Sequence, residues 1–257
     1  MSRTLLAAIA AVSVAASATA QHAGDINLSI QQGAIHTAAF NGSTSIPSRV
    51  FGATFGDTGV ARFTSNPGFE ALPGTFTLGS RTGFTPLTGL ARFTGAGLEP
   101  VTVERLEIKF LTLVSVVGAD PVAGFDLAVQ SNGGWHRHLN FRLFAQGGKL
   151  PSSGIYVVEM ELYSNDGVTL PSDPLWLVFN DGRSVAEHNA AIQWVVDNLS
   201  GGGEPCAADL DGNGDVGASD LATLLAAWGT AGADLGGDGF TDAADLAALL
   251  ASWGACP

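Results

Sequence analysis

The sequence predicts a mainly β chain: a β-sandwich-like domain closed by one C-terminal helix, followed by a small α-helical module built on a duplicated loop. Three observations carry that prediction. Between Gln21 and about Ser200, short apolar or alternating runs are separated by Gly, Pro, Ser, Thr and Asn, the texture of strands joined by turns. A helical period then stands out near residue 190. Beyond it, DLDGNGDVGASDLATLLAAWG recurs as DLGGDGFTDAADLAALLASWG, offset by 25 positions from Asp209 to Asp234.

Residues 1–20 read as a secretory signal peptide. Arg3 precedes an apolar run from Leu5 to Val14, and Ala18-Thr19-Ala20 supplies small residues around a cleavage point before Gln21. No later stretch has the eighteen or so apolar residues that a spanning helix needs. The expectation is a secreted chain, extracellular or held at the cell surface by a partner.

Residues 21–200 are long enough for one domain with a substantial core. The clearest strand candidates are Leu106 to Phe110, Phe125 to Val129, Leu139 to Leu143, Tyr156 to Leu162 and Leu175 to Phe179, while 51 to 98 reads as loops with short strands. The chemically suggestive run is Trp135-His136-Arg137-His138-Leu139-Asn140-Phe141-Arg142-Leu143. On one continuous strand His136, His138, Asn140 and Arg142 share a face. A hairpin with the next strand would bring Glu159 and Glu161 to that face, and His136, His138 and Glu161 would then suit zinc or a similar ion. The competing reading is a solvated sheet face of cross-strand charge pairs, favoured by Arg142, which opposes a cation there. His22 and Asp25 can add ligands from the new N-terminus, and His36 is isolated.

Ser184 to about Leu199 closes the domain as a helix. Ser184 and Glu187 fit a capping box, and Val185, Ile192, Val195, Val196 and Leu199 make an apolar stripe. His188 beside Glu187 needs no further role. The glycines of 201–205 then form a flexible linker.

The module over 206–257 has oxygen donors in the rhythm of a calcium loop, at positions 1, 3, 5, 7, 9 and 12. In the first loop these are Asp209, Asp211, Asn213, Asp215 through its carbonyl, Gly217 through water, and Asp220, with Gly214 at the turn. The second offers Asp234, Asp238, the Phe240 carbonyl, Asp242 and Asp245, with Gly239 at the turn. Its position 3 is Gly236, which brings no side-chain oxygen, so two calcium sites are expected and the second is the weaker. Each loop runs into a helix with an apolar stripe: Leu221, Leu224, Leu225 and Trp228, then Leu246, Leu249, Leu250 and Trp253. Cys206 and Cys256, the only cysteines, bracket the repeat and read as a disulfide in an exported chain.

The paired loops and helices from Cys206 to Cys256 resemble a dockerin type I module. That resemblance implies calcium in both loops and docking to a cohesin-like or cell-surface protein, often on behalf of polysaccharide-active proteins. Positions 10 and 11, which help to read the cohesin in that family, are Ala218 with Ser219 and Ala243 with Ala244 here. A second resemblance runs through His22-x-x-Asp25, Asn66-Pro67-Gly68-Phe69, Pro73-Gly74-Thr75-Phe76, Trp135-x-His-x-His-Leu139, Gly154-Ile155-Tyr156 and Ser172-Asp173-Pro174-Leu175 to Phe179-Asn180. This order is similar to exported PEP-CTERM-type proteins, some of them linked to zinc-starvation control.

The formal net charge is −13, and the tail from Glu204 holds nine of the 24 acidic residues with no Lys or Arg. No basic stripe points to nucleic acid. The elbow, metalloprotease and phosphate-loop motifs G-x-S-x-G, H-E-x-x-H and G-x-x-x-x-G-K are missing. The expected function is a secreted, non-catalytic protein attached or assembled outside the cell through its calcium module. The alternatives are an extracytoplasmic zinc or transition-metal binder and a dockerin-borne polysaccharide-active protein.

Overall fold

The computed structural model describes residues 24–40, 45–200, 208–211 and 215–255. The expected signal peptide, the 201–205 linker, His22, Asn213 and both cysteines lie outside those residues.

The first half of the chain supplies β1 (Ile26–Gln31), β2 (Ala34–Phe40), β3 (Ser45–Pro47), β4 (Val50–Thr54), β5 (Phe63–Thr64), β6 (Phe69–Ala71), β7 (Arg81–Pro86), β8 (Ala91–Phe93) and β9 (Leu98–Pro100). There follow β10 (Glu104–Phe110), β11 (Leu113–Val117), β12 (Asp126–Ala128), β13 (Trp135–Arg137), β14 (Asn140–Ala145), β15 (Gly154–Ser164) and β16 (Leu175–Asp181). Helix α1 (Val185–Asn198) comes next, then β17 (Asp215–Val216), α2 (Ala218–Ala226), α3 (Ala243–Ala251) and β18 (Gly254–Ala255). The chain is thus mainly β, and every strand candidate read from the sequence contains or overlaps a strand.

The larger part holds three sheets. Their orders are β13-β6-β1-β2-β3, β11-β10-β14-β5 and β12-β7-β15-β16-β4, with β8 and β9 added beside β15. All three contribute to one apolar core: Ile26, Phe69 and Trp135 come from the first, Leu106 and Phe141 from the second, Phe84, Tyr156 and Phe179 from the third. The third sheet is also covered on its other face, where Ile155, Val157, Trp176 and Val178 pack against Ala191 and Val195 of α1. Two-sided burial explains why β16 reads Leu-Trp-Leu-Val-Phe without alternation.

The capping box of α1 forms as expected. Glu187 N–H donates to Ser184 Oγ at 3.2 Å, and Ser184 N–H donates to the Glu187 carboxylate at 3.0 Å. The buried face differs from the expected stripe, because Val185 and Leu199 are exposed while His188, Ala191 and Val195 are buried. The i, i+3, i+7 spacing of those three sets the true face. Gly52 on β4 makes room for it, since a Cβ there would lie 2.7 Å from Ile192 Cδ1.

The run 135–143 is two strands in two sheets, which corrects the single-strand expectation. Arg137 still pairs with Phe69, whereas Asn140 already pairs with Lys109. Burial alternates across the change because both sheets face the same core, so periodicity alone reads through it. Nor do β14 and β15 form a hairpin. The edges of β14 are taken by β10 and β5, and those of β15 by β16, β7 and β8. Glu161 opposes Thr85 and Glu159 opposes Trp176, so neither pairs with the strand that carries the histidines.

In the tail, Leu224 and Leu249 form a small core with Ala208, Val216 and Ala233. The two repeats exchange partners. Val216 in the first loop pairs with Gly254 after α3, and in the corresponding places Gly229 N–H after α2 donates to Thr241 O of the second loop at 2.9 Å.

Candidate metal sites

Among the described residues two groups of metal-ligating side chains converge: Asp25, His136 and His138 in the β domain, and Asp209, Asp211 and Asp220 in the tail. Within each group the ligating atoms lie within 4.8 Å of one another.

The first group is assembled by β6, which runs parallel to β1 and antiparallel to β13. The start of β1, the start of β6 and the end of β13 therefore share one margin of the sheet. Asp25 immediately precedes β1, anchored by Ile26 N–H donating to Gly68 O at 2.7 Å. His136 sits directly opposite Glu70, and His138 follows β13. Asp25 presents one carboxylate oxygen to each ring, Oδ2 at 3.8 Å from His136 Nε2 and Oδ1 at 3.4 Å from His138 Nε2. The other ring nitrogens are already engaged: His136 Nδ1 with Glu70 Oε2, and His138 Nδ1 with the Ser65 carbonyl at 3.0 Å.

Arg137, between the two histidines in sequence, has its guanidinium bonded to the His136 and Ala128 carbonyls and set over the Phe110 ring. Arg142, the cation that argued against a metal, lies on another sheet opposite Glu107. Asp25, not the expected Glu161, is the carboxylate that stands beside the two histidines, and Arg142 lies with its own strand on the other sheet.

The tail group lies in the first loop. Asp220 Oδ1 accepts from Leu210 and Asp211 N–H at 2.8 and 3.1 Å, and Oδ2 accepts from Gly217 N–H at 2.7 Å. Burial pushes the Asp220 carboxyl up, but those backbone donors prevail and hold it below the usual carboxylate range. Asp245 repeats the pattern with Leu235, Gly236 and Asp242, and its backbone bonds likewise hold it low.

The loops differ at their other ends. Asp234 accepts N–H bonds from Gly237, Asp238 and Gly239, Asp238 accepts from Phe240, and Asp242 accepts from Ala244. No group of three ligands converges there among the described residues. With Gly236 at its third position, the second loop brings no side-chain oxygen where the first has Asp211.

No known protein-family model matches this chain, and no curated protein matches it.

The two histidines were legible from their alternation, and Asp25 was visible as a nearby ligand type. Glu70, Gly68 and Ser65 were not singled out for this role. A three-residue strand such as β6 leaves too little period to read, and only its placement between β1 and β13 gives those residues a task.

Proposed function

We propose that the chain is an exported, non-catalytic protein whose tail is organised by calcium and attaches it outside the cell. The observation that carries this reading is the convergence of Asp209, Asp211 and Asp220 in a loop that leads into α2. Calcium is a hard cation that takes oxygen ligands from such a loop, and the sequence from Glu204 onward is acidic with no Lys or Arg of its own. The signal-peptide pattern of 1–20 supports export.

Attachment is supported by a surface repeated in both halves. Leu225 and Trp228 are 52% and 46% exposed, and their counterparts 25 residues on, Leu250 and Trp253, are 51% and 50% exposed. Large exposed aromatic and aliphatic side chains of this kind anchor protein interfaces. The partner class is a cohesin-like or other cell-surface protein. None of the described helices is long and apolar enough to cross a membrane.

Calcium titrated into the chelator-stripped full chain is expected to fill two unequal sites. Asp220→Asn should weaken the tighter one by at least about tenfold, and Asp245→Asn the weaker. Two equal sites would overturn the ranking, and no calcium uptake would overturn the reading. Retention of the exported chain on cells should fall when Trp228 and Trp253 are both changed to Ala; unchanged retention would remove the attachment surface from the proposal.

A further inference from the structure

We propose that Asp25, His136 and His138 form a site for one divalent transition ion of the zinc class, separate from the calcium loops. The argument begins with protons. A backbone carbonyl can only accept a hydrogen bond, so the His138 nitrogen facing Ser65 O carries the hydrogen. An ionised carboxylate likewise only accepts, so His136 carries its hydrogen on the nitrogen facing Glu70. In the neutral rings both Nε2 atoms therefore hold lone pairs, and both face the Asp25 carboxylate. One donor atom from each of the three side chains thus converges within 4.8 Å, an arrangement that a bound cation can bridge.

Distance points the same way. The separations of 3.4 and 3.8 Å are too long for good hydrogen bonds. With metal–ligand bonds of about 2.0–2.2 Å, neighbouring ligands of a tetrahedral ion stand roughly 3.3–3.6 Å apart. Two imidazoles and one carboxylate select a borderline ion such as zinc over calcium, and three protein ligands leave a fourth position for water or an incoming ligand. The side chains of Asp25, His136 and His138 are 26%, 47% and 40% exposed, so an ion can enter and leave from solvent.

The backbone is shaped around the group. A Cβ on Gly68 would run into Asp25 Oδ1 and come within 2.8 Å of His138 Nδ1. Gly68 is thus a positioning residue, as is Glu70, which fixes the orientation of the His136 ring.

The test uses the full chain, stripped of transition metals and kept in saturating calcium so that the tail loops are filled. Cobalt(II) alone is expected to bind at one equivalent with the intense visible bands of a tetrahedral site, and zinc should displace it. His136→Ala, His138→Ala and Asp25→Asn should each lower zinc affinity by about 100-fold or more, while His36→Ala on β2 leaves it unchanged. Glu70→Gln should weaken zinc by about 10–100-fold yet keep the tetrahedral bands, as expected of a residue acting through a ligand. Calorimetric unfolding in calcium confirms that each variant is folded; should a histidine variant fail this, Asp25→Asn carries the comparison. Absence of the bands, or zinc binding unaltered in folded His136, His138 and Asp25 variants, overturns the proposal and leaves the calcium reading untouched.

Discussion

His188 is carried by α1 but bonded to a strand, its Nε2 donating to the Val178 carbonyl of β16 at 2.9 Å. Burial pushes its pKa down and the Val178 bond opposes that, with burial prevailing. The unfolded chain protonates this ring near the ordinary value of about 6.5, and the folded chain only at lower pH. Between those values the unfolded state holds more protons, so this contribution to stability is complete above pH 6.5 and lost as pH falls through the folded pKa. The unfolding midpoint of the β domain should accordingly drop from pH 7 to pH 5, and His188→Gln should flatten that part of the profile. An equal slope in the variant would show that other groups dominate. The sequence offered Glu187 as a sufficient account of this neighbourhood, because a capping residue is visible in one dimension and a strand carbonyl ten residues away is not.

At the scale of elements, α1 was readable because its start carries its own chemistry. Changing Ser184 to Ala removes the acceptor for Glu187 N–H and should cost about 1 kcal/mol, measured by denaturant unfolding of the full chain; a change near zero would mean that packing of Ala191 and Val195 on the sheet alone sets the helix. Strands β10, β14, β15 and β16 were readable for a related reason, since each is long enough to show either alternation or two-sided burial. Pairing was not readable. The step from β13 to β14 keeps the inward register of Trp135, Leu139 and Phe141 while changing sheets, so the residue pattern is blind to it. That is why Glu161 looked like a neighbour of the histidines and Asp25, over a hundred residues earlier, is one.

At the scale of the whole molecule, charge and apolar burial are separated. The β domain rests on its core and on the α1 contact, while the tail has only a small core around Leu224 and Leu249 and carries nine acidic residues without a Lys or Arg. On the calcium reading proposed above, removing the ion should leave those carboxylates repelling one another. EDTA is therefore expected to speed amide hydrogen exchange across 215–251 while β15 and β16 stay protected; a uniform change along the chain, or none, would break this division. The partner exchange within the tail adds a further property. Since Val216 of the first loop pairs with Gly254 after α3 and Thr241 of the second bonds to Gly229 after α2, the two repeats interlock into one unit. Gly254, at φ 122° and far along the chain from Asp209, pairs with the first loop rather than the second. Gly254→Val, strained at that angle, should weaken the first calcium site more than the second in a titration, and the reverse order would mean that each repeat keeps its own counsel.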